Sequence, residues 1–493
     1  MKKYITILFI SLFVFSFTSN AQTKSFKRGI GVNNPTTKDI EALAPGTSWV
    51  YNWGHGIPSF DVALRNNGIV FIPMAWNGIN KTAIRNLLKD RPEIKYLLGF
   101  NEPNFFDQAN LTPERAAQRW PDLEEIAEEF NLTLVGPAVN YSPNGPQNEP
   151  LRWYEEFFAA CKGCRVDHIA LHFYQPSADA IKSSIARFKK FGKPIWLTEF
   201  CAWEDGTTAA SQKALMINTF DYLETDPDIY RYAWFKDKGW NGGHPYMQLL
   251  DEKNGNNGNG VLTELGEVFV NMSSYDDNFY FTAGQRMQSE HYIRMNRINM
   301  EKTTDVSGKI NLSGMNAPLS WVDYNVNIPE AGEYNIFFRL SAEYGDDSEV
   351  YVSVDGTEIA TKLFEKKGVG VWNTQSVKGT FAAGKQKIRV GFKKGGLRLN
   401  WWAITKSETP PSGIETVVAD GVAVGPNPVK DILNVQTPGN INEVSLFDIS
   451  GKRIYSGKNI NQIPMGSFAQ GLYILDIRTE NGGRVVEKIL KED

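Results

Sequence analysis

Two hydrophobic rhythms alternate along the first part of the chain. Short, nearly continuous apolar runs fall at residues 29–33, 48–53, 69–76, 96–102, 132–140, 168–174, 195–200 and 230–235. Between them lie stretches whose apolar positions recur at helical spacing, at 38–43, 60–66, 81–88, 112–129, 149–160, 178–190 and 209–225. Continuous apolar runs mark strands buried on both faces, and helical spacing marks amphipathic helices laid over them. Thr112-Pro113-Glu114 supplies a capping residue followed by proline in the first turn, a helix-start signal. Eight buried strands alternating with helices predict a (β/α)8 TIM barrel, which we bound at residues 24–272.

Past residue 273 the helical period disappears. Tyr324-Asn325-Val326-Asn327-Ile328, Val350-Tyr351-Val352-Ser353-Val354 and similar segments alternate with a period of two, and Asp355-Gly356 is a hairpin turn signal. This predicts a β-sandwich over 275–406. The stretch 407–420, with paired Pro410 and Pro411, reads as a linker. A small all-β C-terminal domain is expected over 421–493.

At the N-terminus, Lys2 and Lys3 precede an apolar run over residues 5–17 and the small-residue site Ser19-Asn20-Ala21. This is the pattern of a secretory signal peptide over 1–21, with Gln22 as the first mature residue. No later segment has enough uninterrupted apolar residues to span a bilayer. The 493 residues carry a formal net charge of -4, which gives no electrostatic footprint for nucleic acid. Three cysteines do not make a disulfide scaffold. Cys161 and Cys164 are either a short disulfide or two thiols, and Cys201 reads as a buried small residue. The chain is rich in aromatics, with 13 Trp, 19 Tyr and 29 Phe. Aromatic faces suit the C–H faces of sugars, although most aromatics in any protein are core.

Barrel active sites form at the C-terminal ends of the strands. The side chains expected there are Asn52 and Trp53, Trp76 and Asn77, Asn101 and Glu102, Asn140, His172 and Tyr174, Glu199, and Trp234 with Lys236. Two carboxylates on the fourth and seventh strands, among amides and aromatics, suit acetal hydrolysis. Phosphate chemistry would need a glycine-rich loop, and metal chemistry a histidine cluster. Glu102 is the expected acid/base and Glu199 the expected nucleophile. Asn101 is expected at a sugar 2-hydroxyl, Tyr174 or His172 at Glu199, and Trp234 as the floor of a subsite. Trp53 and Trp76 are either sugar platforms or core.

Several motifs strengthen this reading. Tyr51-Asn52-Trp53, Pro73-Met74-Ala75-Trp76, Gly99-Phe100-Asn101-Glu102-Pro103-Asn104, His168-Ile169-Ala170-Leu171-His172-Phe173-Tyr174 and Trp196-Leu197-Thr198-Glu199-Phe200 resemble glycoside hydrolase family 128 of clan A. Phe173 departs from that pattern, where a tryptophan is expected. The resemblance implies retaining endo-hydrolysis of β-1,3-glucan with Glu102 and Glu199 as the catalytic pair and no cofactor. Alternatives are another clan A hydrolase acting on mannan, xylan or mixed-linkage glucan, or a non-catalytic glycan-binding protein on an inactive barrel.

Gln288-Ser289-Glu290, Ser320-Trp321-Val322-Asp323-Tyr324 and Leu399-Asn400-Trp401-Trp402 resemble a family 6 carbohydrate-binding module. The resemblance implies Trp372 as its aromatic platform. It places Arg398 where a sugar-binding Asn is expected. It also implies a structural calcium near Gln288, Glu290 and Asn400, with amides in place of some expected carboxylates. Gly425-Pro426-Asn427-Pro428 and Gly471-Leu472-Tyr473 resemble the type A sorting domain of type IX secretion. The implied partners are a β-glucan and the export machinery, and the implied location is outside a Gram-negative cell or on its surface, as a monomer.

Overall fold

The computed structural model describes residues 22–141, 149–239, 243–315, 320–344, 348–411, 423–437, 440–448, 451–479 and 484–492. The proposed signal peptide and residues 412–420 of the proposed linker lie outside them. The chain divides into two compact units, one ending at Pro411 and one beginning at Ser412.

The first unit opens with eight parallel strands: β1 (Arg28–Gly31), β2 (Trp49–Tyr51), β3 (Val70–Phe71), β4 (Tyr96–Leu98), β5 (Thr133–Val139), β6 (His168–Tyr174), β7 (Ile195–Cys201) and β8 (Ile229–Phe235). They pair in the order β3-β2-β1-β8-β7-β6-β5-β4. A parallel bridge between Met74 and Leu98 joins the two ends of that order, and the sheet curls into a TIM-like fold. All eight expected strands are present. β3 is much shorter than its apolar run, because Pro73 follows it and cannot donate to a ladder.

Three helical expectations change. The helix expected at 112–129 is two, Pro113–Arg119 and Pro121–Glu129, since Pro121 starts a new first turn. The helix expected at 178–190 stops at Ala186 and continues as a 3-10 turn, Lys189–Phe191, closed by left-handed Gly192. The helix Glu264–Asn271, capped by Thr263, was not foreseen.

Two six-stranded antiparallel-rich sheets follow within the same unit. One is centred on Leu397–Thr405 and Gly332–Ala342, the other on Trp321–Ile328 and Gly384–Lys394. Their inner faces meet where Tyr324 packs on Trp402 at 4.9 Å. Asp355 and Gly356 both take positive φ, as their hairpin turn requires.

Polar contacts gather where the barrel runs into the β-region. The Arg28 guanidinium reaches Glu224 at 3.1 Å and donates to the carbonyls of Met272 and Ser273. Lys302 pairs with Glu267 at 3.1 Å.

The second unit has its own apolar core, built around Leu433, Val444, Leu446, Leu475 and Ile489. Its larger sheet orders Arg453–Gly457, Ile441–Phe447, Gly471–Thr479 and Arg484–Lys491. No helix among the described residues is long and apolar enough to cross a membrane.

Candidate active site

Strand pairing carries Glu102, His172 and Glu199 to one mouth of the barrel. His172 and Glu199 are direct neighbours across β6 and β7, after a bulge that begins at His172. Beyond β4, Asn101 bridges Ala138 of β5, and the Glu102 amide donates to the Ala138 carbonyl at 2.7 Å. Glu102 takes a left-handed φ of 39°, a conformation that strains a side chain with a Cβ and is held only because its surroundings fix it.

One ligand atom from each of Glu102, His172 and Glu199 lies within 4.8 Å of the others. The His172 Nδ1 lies 3.0 Å from Glu102 Oε1 and 3.4 Å from Glu199 Oε2. Asn140 donates to Glu102 Oε1 at 3.0 Å and is itself fixed by Asn104, which donates to its carbonyl at 2.6 Å. Glu199 accepts from Trp53 Nε1 at 2.7 Å, from the Tyr51 hydroxyl at 3.1 Å and from the Tyr174 hydroxyl.

All three titratable groups are nearly sealed from solvent: His172 is 0% exposed, Glu199 4% and Glu102 7%. Burial pushes the Glu199 carboxyl above the usual carboxylate range, and the charge of Glu102 adds to this. His172 and the Tyr174 and Trp53 donors oppose it without cancelling it. Burial opposes a charged His172, but the Glu199 and Glu102 carboxylates outweigh it and hold the imidazole above its ordinary value. Burial, reinforced by the Glu199 charge, pushes Tyr51 and Tyr174 far up, so both remain hydroxyl donors. The same causes raise Cys201, which stays a buried thiol. Cys161 and Cys164 are joined as a disulfide.

These side chains open onto a cavity of about 850 Å³ whose lining includes Trp53, Trp76, Trp203 and Glu204. Asn101 lines it too. Its Nδ2 donates to Gln108 at 3.3 Å, while its buried Oδ1 accepts no hydrogen bond among the described residues. Lys236 also faces the cavity.

Trp234 does not. It is fully buried outside the barrel lumen, packed on Phe200 and Phe220, with its indole donating to the Met247 carbonyl at 2.8 Å. Its neighbour Phe235 takes the place at the mouth. The sequence reading also missed Tyr51 as a hydrogen-bond donor, and missed Phe105, Tyr141 and Trp203 as walls. Tyr51 was findable, since it stands in the same run as Trp53. The others sit on loops or loop edges, where no periodicity points the way.

In the β-region, Trp372 is half-buried and its indole donates to Thr304 Oγ1 at 3.0 Å. Arg398 is engaged by Glu301 and the Ala342 carbonyl. Asn400 lies at a bulge and commits its amide nitrogen to Asp305 at 2.7 Å and Ser307 at 2.8 Å. Gln288, Glu290 and Asn400 together offer a single carboxylate. Amide oxygens ligate calcium as carboxylates do, and the buried Asn400 Oδ1 accepts no hydrogen bond among the described residues.

Residues 29–269 match the family model described as a glycosyl hydrolase catalytic core. An endo-β-1,3-glucanase of glycoside hydrolase family 128, subgroup II, from Sorangium cellulosum is 36% identical; the match covers 50% of this chain and 98% of that one, with a TM-score of 0.45. The chain belongs to glycoside hydrolase family 128. A second family member, a subgroup II endo-β-1,3-glucanase from Pseudomonas viridiflava, is 34% identical over 50% of this chain and 98% of its own, with a TM-score of 0.46. Among curated proteins, Alkali-sensitive linkage protein 1 of Schizosaccharomyces pombe is 27% identical over 240 residues, 46% of this chain. The chain spans 40% of that relative's length. Outside the family 128 region, residues 288–406 match a carbohydrate binding module of family 6, and residues 423–492 match a secretion system C-terminal sorting domain.

Proposed function

We propose that the barrel hydrolyses internal β-1,3-glucosidic bonds of β-glucans with retention of configuration. The observation that carries this reading is the spacing of the two buried carboxylates: an oxygen of Glu102 and one of Glu199 lie within 4.8 Å. Retaining glycosidases hold their carboxyl groups about 5–5.5 Å apart, too close for a water molecule to attack between them.

In the first step a Glu199 oxygen forms a bond to the anomeric carbon while Glu102 gives its proton to the departing glycosidic oxygen. In the second, Glu102 takes a proton from water, the hydroxide oxygen bonds to the same carbon, and the Glu199 ester bond breaks. Trp53, Tyr51 and Tyr174 keep the Glu199 oxygens aimed at the cavity. The free acceptor on Asn101 suits a sugar 2-hydroxyl, a contact that strengthens toward the transition state. The preference for β-1,3 linkages rests on the family 128 relatives, both of which are endo-β-1,3-glucanases.

The reaction so drawn uses no cofactor, and a calcium ion at Gln288, Glu290 and Asn400 would serve only the fold of the β-region. That region holds glycan through Trp372, with Arg398 held back by Glu301. The C-terminal unit addresses the protein to the type IX export machinery of a Gram-negative bacterium, for release or display at the surface. The enzyme acts as a monomer.

The test is digestion of a soluble β-1,3-glucan. A ladder of oligosaccharides whose new reducing ends are first seen as the β-anomer is expected. Release of the α-anomer would overturn retention, and cleavage confined to mannan or xylan would overturn the linkage.

A further inference from the structure

Beside the main cavity lies a second hollow of about 450 Å³, lined by Trp53, Gly54, His55, Trp76, Asn77 and Gly78. The two spaces share Trp53 and Trp76, so they adjoin at one pair of indoles. Asn77 is already committed, its Nδ2 donating to the Ala109 carbonyl at 2.8 Å and its Oδ1 accepting from Arg119 at 3.2 Å. The hollow is therefore largely aromatic and backbone, with the His55 imidazole as its adaptable polar group. Aromatic walls with one or two polar groups at their edge suit a pyranose, which has apolar C–H faces and a rim of hydroxyls.

Trp53 does two things at once. It walls the second hollow, and its indole N–H donates to Glu199 Oε1 at 2.7 Å. Its backbone is held at φ 60°, and its ring packs edge-on against Tyr51 at 5.2 Å, a second donor to Glu199.

Resting on the glucanase reading above, we propose that this hollow is a remote glucosyl subsite, and that a sugar seated in it steadies the nucleophile through Trp53. A chain long enough to reach the hollow presses on the face of Trp53, while the edge of the same ring aligns Glu199. Binding energy gained far from the cleaved bond then appears in kcat as well as in KM. A short oligosaccharide, filling only the main cavity, leaves that contribution unused.

The glycine at 78 offers a clean test. A Cβ there meets no atom within 4 Å, so Gly78→Leu adds a bulky side chain at a lining position without a clash at its Cβ. His55→Ala removes the polar group instead, and a melting curve for each variant verifies that it is folded. The measured quantity is kcat for a long β-1,3-gluco-oligosaccharide divided by kcat for a trimer, compared within each protein. For the wild type this ratio is expected to be about tenfold, and Gly78→Leu is expected to bring it to about one. His55→Ala is expected to lie between. A ratio that both folded variants leave unchanged overturns the subsite, as long as the wild type cleaves these sugars. A length effect confined to KM overturns the link through Trp53. If the wild type cleaves neither length, the glucanase reading fails and takes the subsite with it.

Discussion

The two ends of the barrel use the same residue types for opposite purposes. At the N-terminal end of the strands, Trp49, Tyr96 and Trp196 turn their faces to the Arg231 guanidinium at 5.8, 4.9 and 5.6 Å. The Tyr96 and Tyr230 hydroxyls bond to each other at 2.5 Å, and the Trp196 indole donates to His168 at 2.8 Å. The Trp49 indole donates to the Lys27 carbonyl at 3.0 Å, so the indoles and phenols of the floor are spent inside the protein, and the floor is a plug. At the C-terminal end, Trp53, Tyr51 and Tyr174 spend their polar edges on a carboxylate, and Trp53 and Tyr174 also border open space. An aromatic cluster with one charge is therefore no sign of a sugar site by itself. The sign is the direction in which the donors point.

This contrast can be broken from either end. The largest effect is expected at the mouth: Glu199→Gln should lower kcat/KM on soluble β-1,3-glucan by about 10⁴-fold or more, measured as new reducing ends. Retained turnover would remove Glu199 from the nucleophile role. Glu102→Gln is expected to cost about 10²–10⁴-fold, and less on a substrate whose leaving group needs no proton. A uniform loss on both substrates would count against acid catalysis.

His172→Asn is expected to cost about tenfold near neutral pH and to move the acid limb of the kcat/KM profile upward. The sign follows from the site. Glu199 must be ionised to attack, its carboxyl is already raised by burial, and His172 is one of the groups pulling it down. Removing the imidazole lets the carboxyl rise further, so activity is lost at a higher pH on the acid side. An unshifted limb would reduce His172 to packing.

At the floor, Arg231→Met should leave kcat within about twofold. It should cost about 1–2 kcal/mol of stability, the worth of a partly desolvated cation among rings, read as a melting shift of a few degrees. A large loss of activity would mean that the floor is not a mere plug. The smallest effect is expected from EDTA, which should move the melting temperature by less than about 1 °C, because Gln288, Glu290 and Asn400 supply a single charged ligand for calcium. A clear drop would show that a bound ion steadies the β-region.

Much of this was legible in the chain itself. The eight apolar runs found the eight strands, and the run ending in Asn101-Glu102 found one half of the carboxylate pair. Trp234 shows where legibility stopped. The segment Tyr230-Arg231-Tyr232-Ala233-Trp234-Phe235 is buried on both faces, so its pattern carries no parity. Ala233 faces the lumen with Trp49 and Val135, while Tyr232 and Trp234 face the surrounding helices. Only the closed sheet shows that Phe235, not Trp234, reaches the mouth.

The sequence by itself determined the periodicities, and through them the strands, helices and turns, because those depend on residues a few positions apart. It also determined which residue types were available for chemistry. What the tertiary structure alone decided is which of them meet. Glu102, His172 and Glu199 are separated by long stretches of chain, and their contact depends on strand tilt and register around the whole barrel. No local pattern encodes that closure, and no local pattern could have placed a single imidazole nitrogen between two carboxylates.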